Sequence, residues 1–224
     1  MIITVYGVAS PDEARRLESA GADVIGVLLG DRSDGRVLDE ESATPVSRAV
    51  GEADVLVEFL SRTAADAVVA RRLGARWAQV PWNDPAPEAW REQLAVGGVG
   101  WVLGRVPADE DDDPEWVVHR WTDYGKPGPD WVHVEIFPSL TDGWPLLQEL
   151  SVDEVDAADL DRMAAERPIV FSLPLTVERA PQARALLPHA HGFALTLAGL
   201  HGEVPAATTL DEREVLRLLQ ALRQ

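Results

Sequence analysis

The chain has 224 residues, of which 46% are hydrophobic and 26% are charged, with 38 acidic against 20 basic side chains. This length is sufficient to bury a full core. The formal net charge of −18 argues against nucleic acid or an anionic membrane as a partner. Because the chain has no cysteine, disulfides, thiolate metal sites and cysteine nucleophiles are excluded.

The sequence gives no sign of export or of a membrane span. No apolar run approaches the ~20 residues that a transmembrane helix needs. The opening residues, MIITVYG, show neither a basic leader nor a cleavage site. We therefore expect a cytoplasmic protein.

Short β-branched runs alternate along the chain with longer amphipathic segments. The first run is followed by Ser10, Pro11 and acidic residues, which is a typical helix start. Residues 105–128 break the pattern, and the acidic run at 109–113 within them lacks the spacing of a calcium loop. In chain order, strands are predicted at 2–6, 24–28, 55–59, 77–80, 100–103, 131–137, 169–172 and 192–197, and helices at 11–20, 39–50, 63–73, 87–94, 152–166, 177–187 and 210–222.

This alternation predicts an α/β fold: a single (β/α)8 TIM barrel that forms one domain over residues 1–224. An open, doubly wound sheet is the alternative. Such sheets usually carry a glycine-rich first turn, whereas the segment 6–10 of this chain has a single glycine, Gly7.

In a (β/α)8 barrel the active site lies at the carboxyl ends of the strands. Each predicted strand therefore contributes candidates from its end. They are Tyr6, the loop 30–36, Glu58, Gln79 with Trp82 and Asn83, Arg105, His133 with Glu135, Ser172, and Thr196 with Gly199 and His201.

The sixth predicted strand carries the sharpest signal. His133 and Glu135 alternate with the aliphatic residues Val132, Val134 and Ile136, so both polar side chains should point into the barrel. They could act as a general acid/base pair at the mouth, with Glu135 the better placed. They could equally form a buried His–Glu pair, or a bond to an arginine of a neighbouring strand.

Three further side chains suit a small-molecule site. Tyr6 could be an aromatic plug over the barrel or a hydrogen-bond donor. Arg36 has the fork that binds a carboxylate, and Trp82 could stack on a flat ligand. We predict no cofactor and no metal. The histidine pair at 189–191 resembles a metal site, but it precedes its strand and so falls at the wrong end of the barrel.

Segments spread over the whole chain carry a resemblance to a known family. They are Val5-Tyr6-Gly7-Val8, the stretch from Asp12 to the Gly-Ala-Asp-Val-Ile-Gly-Val run at 21–27, residues 33–36, Gln79-Val80-Pro81-Trp82, and Phe193-Ala194-Leu195-Thr196 with Gly199. In this order they resemble phosphoribosylanthranilate isomerase, a (β/α)8 enzyme of tryptophan biosynthesis. The likeness is most specific over the first 80 or so residues.

The resemblance implies an Amadori-type isomerisation of an aldose to a ketose. The family's general base, a cysteine, is replaced by Tyr6, and its general acid, an aspartate, by Glu135. A tyrosine with a pKa near ~10 is a poor base at neutral pH. Arg36 matches the family residue that contacts the anthranilate carboxylate. One glycine pair that binds phosphate is replaced by Leu173-Pro174, and proline has no N–H to offer a phosphate.

We therefore predict a divergent enzyme that transfers a proton on a small carboxylated or aromatic metabolite, as a monomer or homodimer without a nucleic-acid or membrane partner. The alternative is a non-catalytic barrel that binds a ligand or partner and has lost the isomerase reaction. The predicted catalytic residues are Glu135, Tyr6 and His133, and the predicted substrate-binding residues are Arg36, Gln79, Trp82, Thr196 and Gly199.

Overall fold

The computed structural model describes residues 1–30, 35–61, 66–83, 87–109, 112, 128–140, 142–149, 155–198 and 209–224. Within these ranges ten strands alternate with eight helices. In chain order they are β1 (Ile2–Tyr6), α1 (Pro11–Ser19), β2 (Val24–Leu29), β3 (Val37–Leu38), α2 (Glu40–Ala49), β4 (Asp54–Phe59), α3 (Ala67–Arg72), β5 (Trp77–Pro81), α4 (Glu88–Val96), β6 (Gly100–Ala108), β7 (Trp131–Ile136), α5 (Trp144–Gln148), α6 (Ala157–Glu166), β8 (Ile169–Ser172), α7 (Ala180–Leu186), β9 (Gly192–Leu197), β10 (Thr209–Leu210) and α8 (Glu212–Arg223).

Eight parallel strands close into a barrel. The order is β1-β2-β4-β5-β6-β7-β8-β9, and β1 pairs with both β2 and β9, which closes the ring. The two-residue strands β3 and β10 pair with the carboxyl ends of β2 and β9. The predicted (β/α)8 barrel is confirmed. In the described part of the chain, none of the helices has the length and apolarity to cross a membrane.

Local signals set the helix starts. Ser10 accepts a hydrogen bond from the Glu13 N–H at the start of α1, and Asp211 forms a capping box with Glu214 at the start of α8. The helix predicted from residue 152 begins instead at Ala157, because Asp156 caps it. The short helix α5 was not predicted.

The largest correction to the sequence prediction concerns β6. The strand was predicted to end at residue 103, with an irregular segment from 105, but it continues to Ala108. Its register against β7 shifts between Leu103 and Val106, which marks a β-bulge. Gly104 and Arg105 lie in that bulge, opposite His133.

The strands separate two apolar clusters. The larger lies between the strands and the helices, and the smaller fills the barrel around Leu28, Leu56, Val102 and Trp131. Polar residues lie nearer the carboxyl ends. The strand pairing places Glu58 beside Gln79 and Glu135 beside Ser172, so these side chains lie close to one level of the barrel.

Candidate functional site

A continuous chain of hydrogen bonds crosses the barrel near its carboxyl end. The Tyr6 hydroxyl donates to Gln79 Oε1 at 2.7 Å, and Gln79 Nε2 donates to Glu58 Oε1 at 3.0 Å. Arg105 donates to Glu58 from Nε at 2.5 Å and from Nη2 at 2.9 Å, and to Glu135 from Nη1 at 2.7 Å. We call these five residues, Tyr6, Gln79, Glu58, Arg105 and Glu135, the mouth network. They come from five strands, β1, β5, β4, β6 and β7.

The bulge in β6 aims Arg105 into the barrel. Arg105 has a φ of 55°, a left-handed conformation that disfavours any residue with a Cβ by about 1–2 kcal/mol. The residue before it is Gly104, where an added Cβ would lie 2.5 Å from the Gln79 side chain. The close approach of Gln79 therefore requires glycine at 104. Strained backbone of this kind is concentrated at functional sites.

His133 lies under the network and is not paired with Glu135. Its ring stacks on Tyr6, with centroids 4.8 Å apart and an interplanar angle of 14°, and its Nε2 is hydrogen-bonded to Ser172 Oγ at 2.8 Å. Complete burial, followed by the charge of Arg105, holds the pKa of His133 well below its usual range. The ring is therefore neutral. The sequence left open a His133–Glu135 pair or a bond to an arginine of a neighbouring strand. The structure shows the second, because Arg105 on β6 donates to Glu135.

Burial also controls the protonation of Glu135 and Tyr6. The pKa of Glu135 is raised, chiefly because burial disfavours its charged form, although Arg105 opposes the shift. The pKa of Tyr6 lies well above 10, again through burial first and the nearby Glu58 carboxylate second. Tyr6 thus keeps its proton and serves as a hydrogen-bond donor, while Glu135 can hold a proton at higher pH than an exposed glutamate.

Arg36 has partners within the protein. Its Nη1 lies 2.9 Å from both carboxylate oxygens of Glu13 and donates to the Gly7 carbonyl, while its Nε donates to the Ala198 carbonyl. Arg36 therefore ties the ends of β1 and β9 to helix α1. A ligand carboxylate would have to share this guanidinium with Glu13, which is itself 6% exposed.

The other predicted site residues fall in different places. Gln79 belongs to the mouth network, and Thr196 is buried beside Tyr6 in the β1–β9 pairing. Trp82 is partly buried and packs against the cluster between strands and helices. Gly199 lies outside the described residues.

Sequence reasoning placed Glu58 and Arg105 among the strand-end candidates but gave neither a role. The available signal was Glu58 itself, a lone charge in the otherwise apolar stretch Val55–Phe59. A buried charge of this kind requires a partner.

The loop after β8 offers few donors to an anion. Pro174 has no N–H, and the Leu175 N–H already donates to the Leu173 carbonyl at 2.7 Å. The Pro174 carbonyl in turn accepts from Arg179 Nη1 at 3.1 Å. These contacts leave two successive backbone positions without a donor for phosphate.

Comparison with known proteins supports the fold. No protein-family model matches the sequence, and no curated protein matches it either. Solved structures match over its whole length. Phosphoribosylanthranilate isomerase from Pyrococcus furiosus is 18% identical with a TM-score of 0.69, covering 100% of this chain and 98% of that chain.

The enzyme of the same name from Thermococcus kodakaraensis is 20% identical, with a TM-score of 0.67 and coverage of 100% and 99%. A third, in complex with reduced 1-(o-carboxyphenylamino)-1-deoxyribulose 5-phosphate, is 13% identical, with a TM-score of 0.69 and coverage of 100% and 99%. The chain therefore has the barrel fold of phosphoribosylanthranilate isomerases, as the sequence resemblance predicted.

Proposed function

We propose that this protein is an enzyme that transfers a proton on a small carboxylated or aromatic metabolite, with Glu135 as the general acid/base. One observation carries the proposal. Glu135 is only 6% exposed, lies at the carboxyl end of β7, and shares a partly buried guanidinium with a second carboxylate, Glu58. A carboxyl group in this setting fits proton transfer better than a structural role, since apolar packing would stabilise the fold at least as well.

The raised pKa of Glu135 supports this assignment. A general acid works best when its pKa is near the operating pH, because it then carries its proton and can still release it. Tyr6 would donate a hydrogen bond and remain protonated. Neutral His133 would hold the Tyr6 ring in place by stacking.

For the substrate, we favour the carboxylated aromatic half of the ligand that the third structural neighbour binds. Arg36 at the ends of β1 and β9 is the candidate for the carboxylate. The phosphate half has less support, because Pro174 and Leu175 supply no free donor. The isomerisation of phosphoribosylanthranilate is the first reaction to assay, followed by small aromatic carboxylates.

The test compares Glu135→Gln with a matched glutamate at the other end of the barrel. Glu18 serves as the control, since its carboxylate binds the backbone N–H groups of residues 51–53 just before β4. Glu135→Gln should lower turnover by about 10²–10⁴-fold, the usual contribution of a general acid or base, with the fold retained. Glu18→Gln should leave turnover within a few fold. Full activity in Glu135→Gln would contradict the proposal.

The alternative, a non-catalytic barrel, is favoured by a different observation: each member of the mouth network already has a partner inside the protein. Under this alternative the network only fills the barrel. Metabolites captured from cell extract and identified by mass spectrometry would then bind without being converted. Glu135→Gln would change stability alone.

A further inference from the structure

The two edges of the Arg105 guanidinium are used unequally. Glu58 takes both Nε and Nη2 in a two-point contact, at 2.5 and 2.9 Å, whereas Glu135 has only Nη1. Glu58 is 3% exposed and is also held by Gln79. The paired edge fixes the plane of the guanidinium, since a bidentate contact defines both position and orientation.

The charges around Glu135 explain why this asymmetry matters. Glu58 faces it from β4, Arg105 from β6 and the Tyr6 hydroxyl from β1, while His133 precedes it on β7 and Ser172 pairs with it on β8. His133 and Tyr6 are neutral, so within this group a single cation serves two carboxylates. The Glu58 carboxylate therefore opposes part of the stabilisation that Arg105 gives to ionised Glu135.

We propose that Glu58 is a positioning residue for Glu135: by accepting two of the three hydrogen bonds that Arg105 donates to the two carboxylates, it orients the guanidinium and leaves Glu135 able to carry a proton. This inference depends on the proposed function only for the use to which the proton is put. The geometry would apply equally in an inactive barrel. A general acid must carry its proton near neutral pH. Glu58 would help Glu135 to keep that proton without touching the substrate.

The test is a carboxyl ¹³C NMR titration of Glu135 in the full chain, with its resonance assigned by loss in Glu135→Gln. In Glu58→Gln the repelling charge is gone and Arg105 serves Glu135 alone. The pKa of Glu135 should then fall by about one pH unit or more, as expected for a carboxyl beside an unshared cation. Glu58→Asp keeps the charge and should stay closer to the wild type.

Glu13→Gln is the matched control, because Glu13 is also buried and paired with an arginine, but with Arg36. It should leave the Glu135 titration unchanged. If Glu135 titrates in Glu58→Gln as it does in the wild type, or at higher pH, the positioning role is wrong. If Glu58→Gln does not fold, the wild type decides. ¹⁵N relaxation should show the Arg105 Nε–H ordered by its contact with Glu58, and an Nε–H as mobile as that of the exposed Arg162 would overturn the inference.

The two proposals fail separately. The titration of Glu135 is read without turnover, so an inactive protein in which Glu58→Gln still lowers the pKa would contradict the proposed function alone. An active enzyme with an unmoved titration would contradict the positioning role alone. Where turnover is found, the alkaline limb of the pH profile should move to lower pH in Glu58→Gln.

Discussion

Replacing Arg105 with glutamine tests whether a single cation holds the mouth network together. The variant would leave the side chains of Glu58 and Glu135, which are 4% and 8% exposed, without their shared counter-ion. Glutamine has the same Cβ as arginine, so the backbone strain at a φ of 55° is common to both proteins. The difference in stability then reports mainly on the stranded charges.

The size of the loss follows from protonation. At pH 7 the folded variant must bury two unpaired carboxylates or protonate at least one of them, and protonating one carboxyl with an ordinary pKa of ~4.3 costs about 3.7 kcal/mol. This agrees with the ~3–5 kcal/mol typical of removing one partner from a buried ion pair. At pH 5 the same protonation costs only about 1 kcal/mol. When folding raises the pKa of a carboxyl, the folded protein loses stability as the pH rises. The destabilisation of Arg105→Gln should therefore grow from pH 5 to pH 7.

The assay is urea unfolding at both pH values, followed by the fluorescence of the 8 tryptophans. Arg162→Gln is the control, because the Arg162 side chain is 66% exposed where it pairs with Asp159, and surface pairs of this kind contribute little. Its unfolding free energy should change little at either pH. If Arg105→Gln loses the same free energy at pH 5 as at pH 7, packing rather than stranded charge explains the loss, and the shared cation does not hold the mouth network together.

Three further outcomes are expected. Because burial raises the pKa of Glu135, the contribution of this residue to stability should fall as the pH rises from about 4.5 through that pKa, so the melting temperature of the wild type relative to that of Glu135→Gln should decrease over this range. Gly104→Ala should destabilise by about 1–3 kcal/mol through its clash with Gln79; denaturant unfolding should show almost no change in Gly128→Ala, where an added Cβ meets none of the described residues within 4 Å. Calorimetry with ribose 5-phosphate should detect no tight binding, because Pro174 lacks an N–H; saturable binding at the loop after β8 would show that this loop was misjudged.

The fold was predictable because its determinants are local. Strand and helix patterns alternate clearly, and helix starts such as Ser10 and Asp211 carry their own caps. The alternation of side chains along a strand, which has a period of two residues, predicted only part of the site. That period placed His133 and Glu135 inside the barrel, and both are buried there. It could not choose the partner of Glu135, since that choice depends on the register between neighbouring strands.

Arg105 shows why the rest of the site could not be read from the pattern. Val102 faces the barrel and Leu103 the helices, so strict alternation would turn Gly104 inward and Arg105 outward. The bulge reverses this phase at Arg105, a residue with a positive φ that local propensity disfavours. What stabilises the reversed phase is the pair of carboxylates on β4 and β7, which are distant in sequence. The position of Arg105 and the charge balance of the site therefore have the same origin. Glu58 and Glu135 balance the charge of Arg105, and they also hold it in its strained conformation.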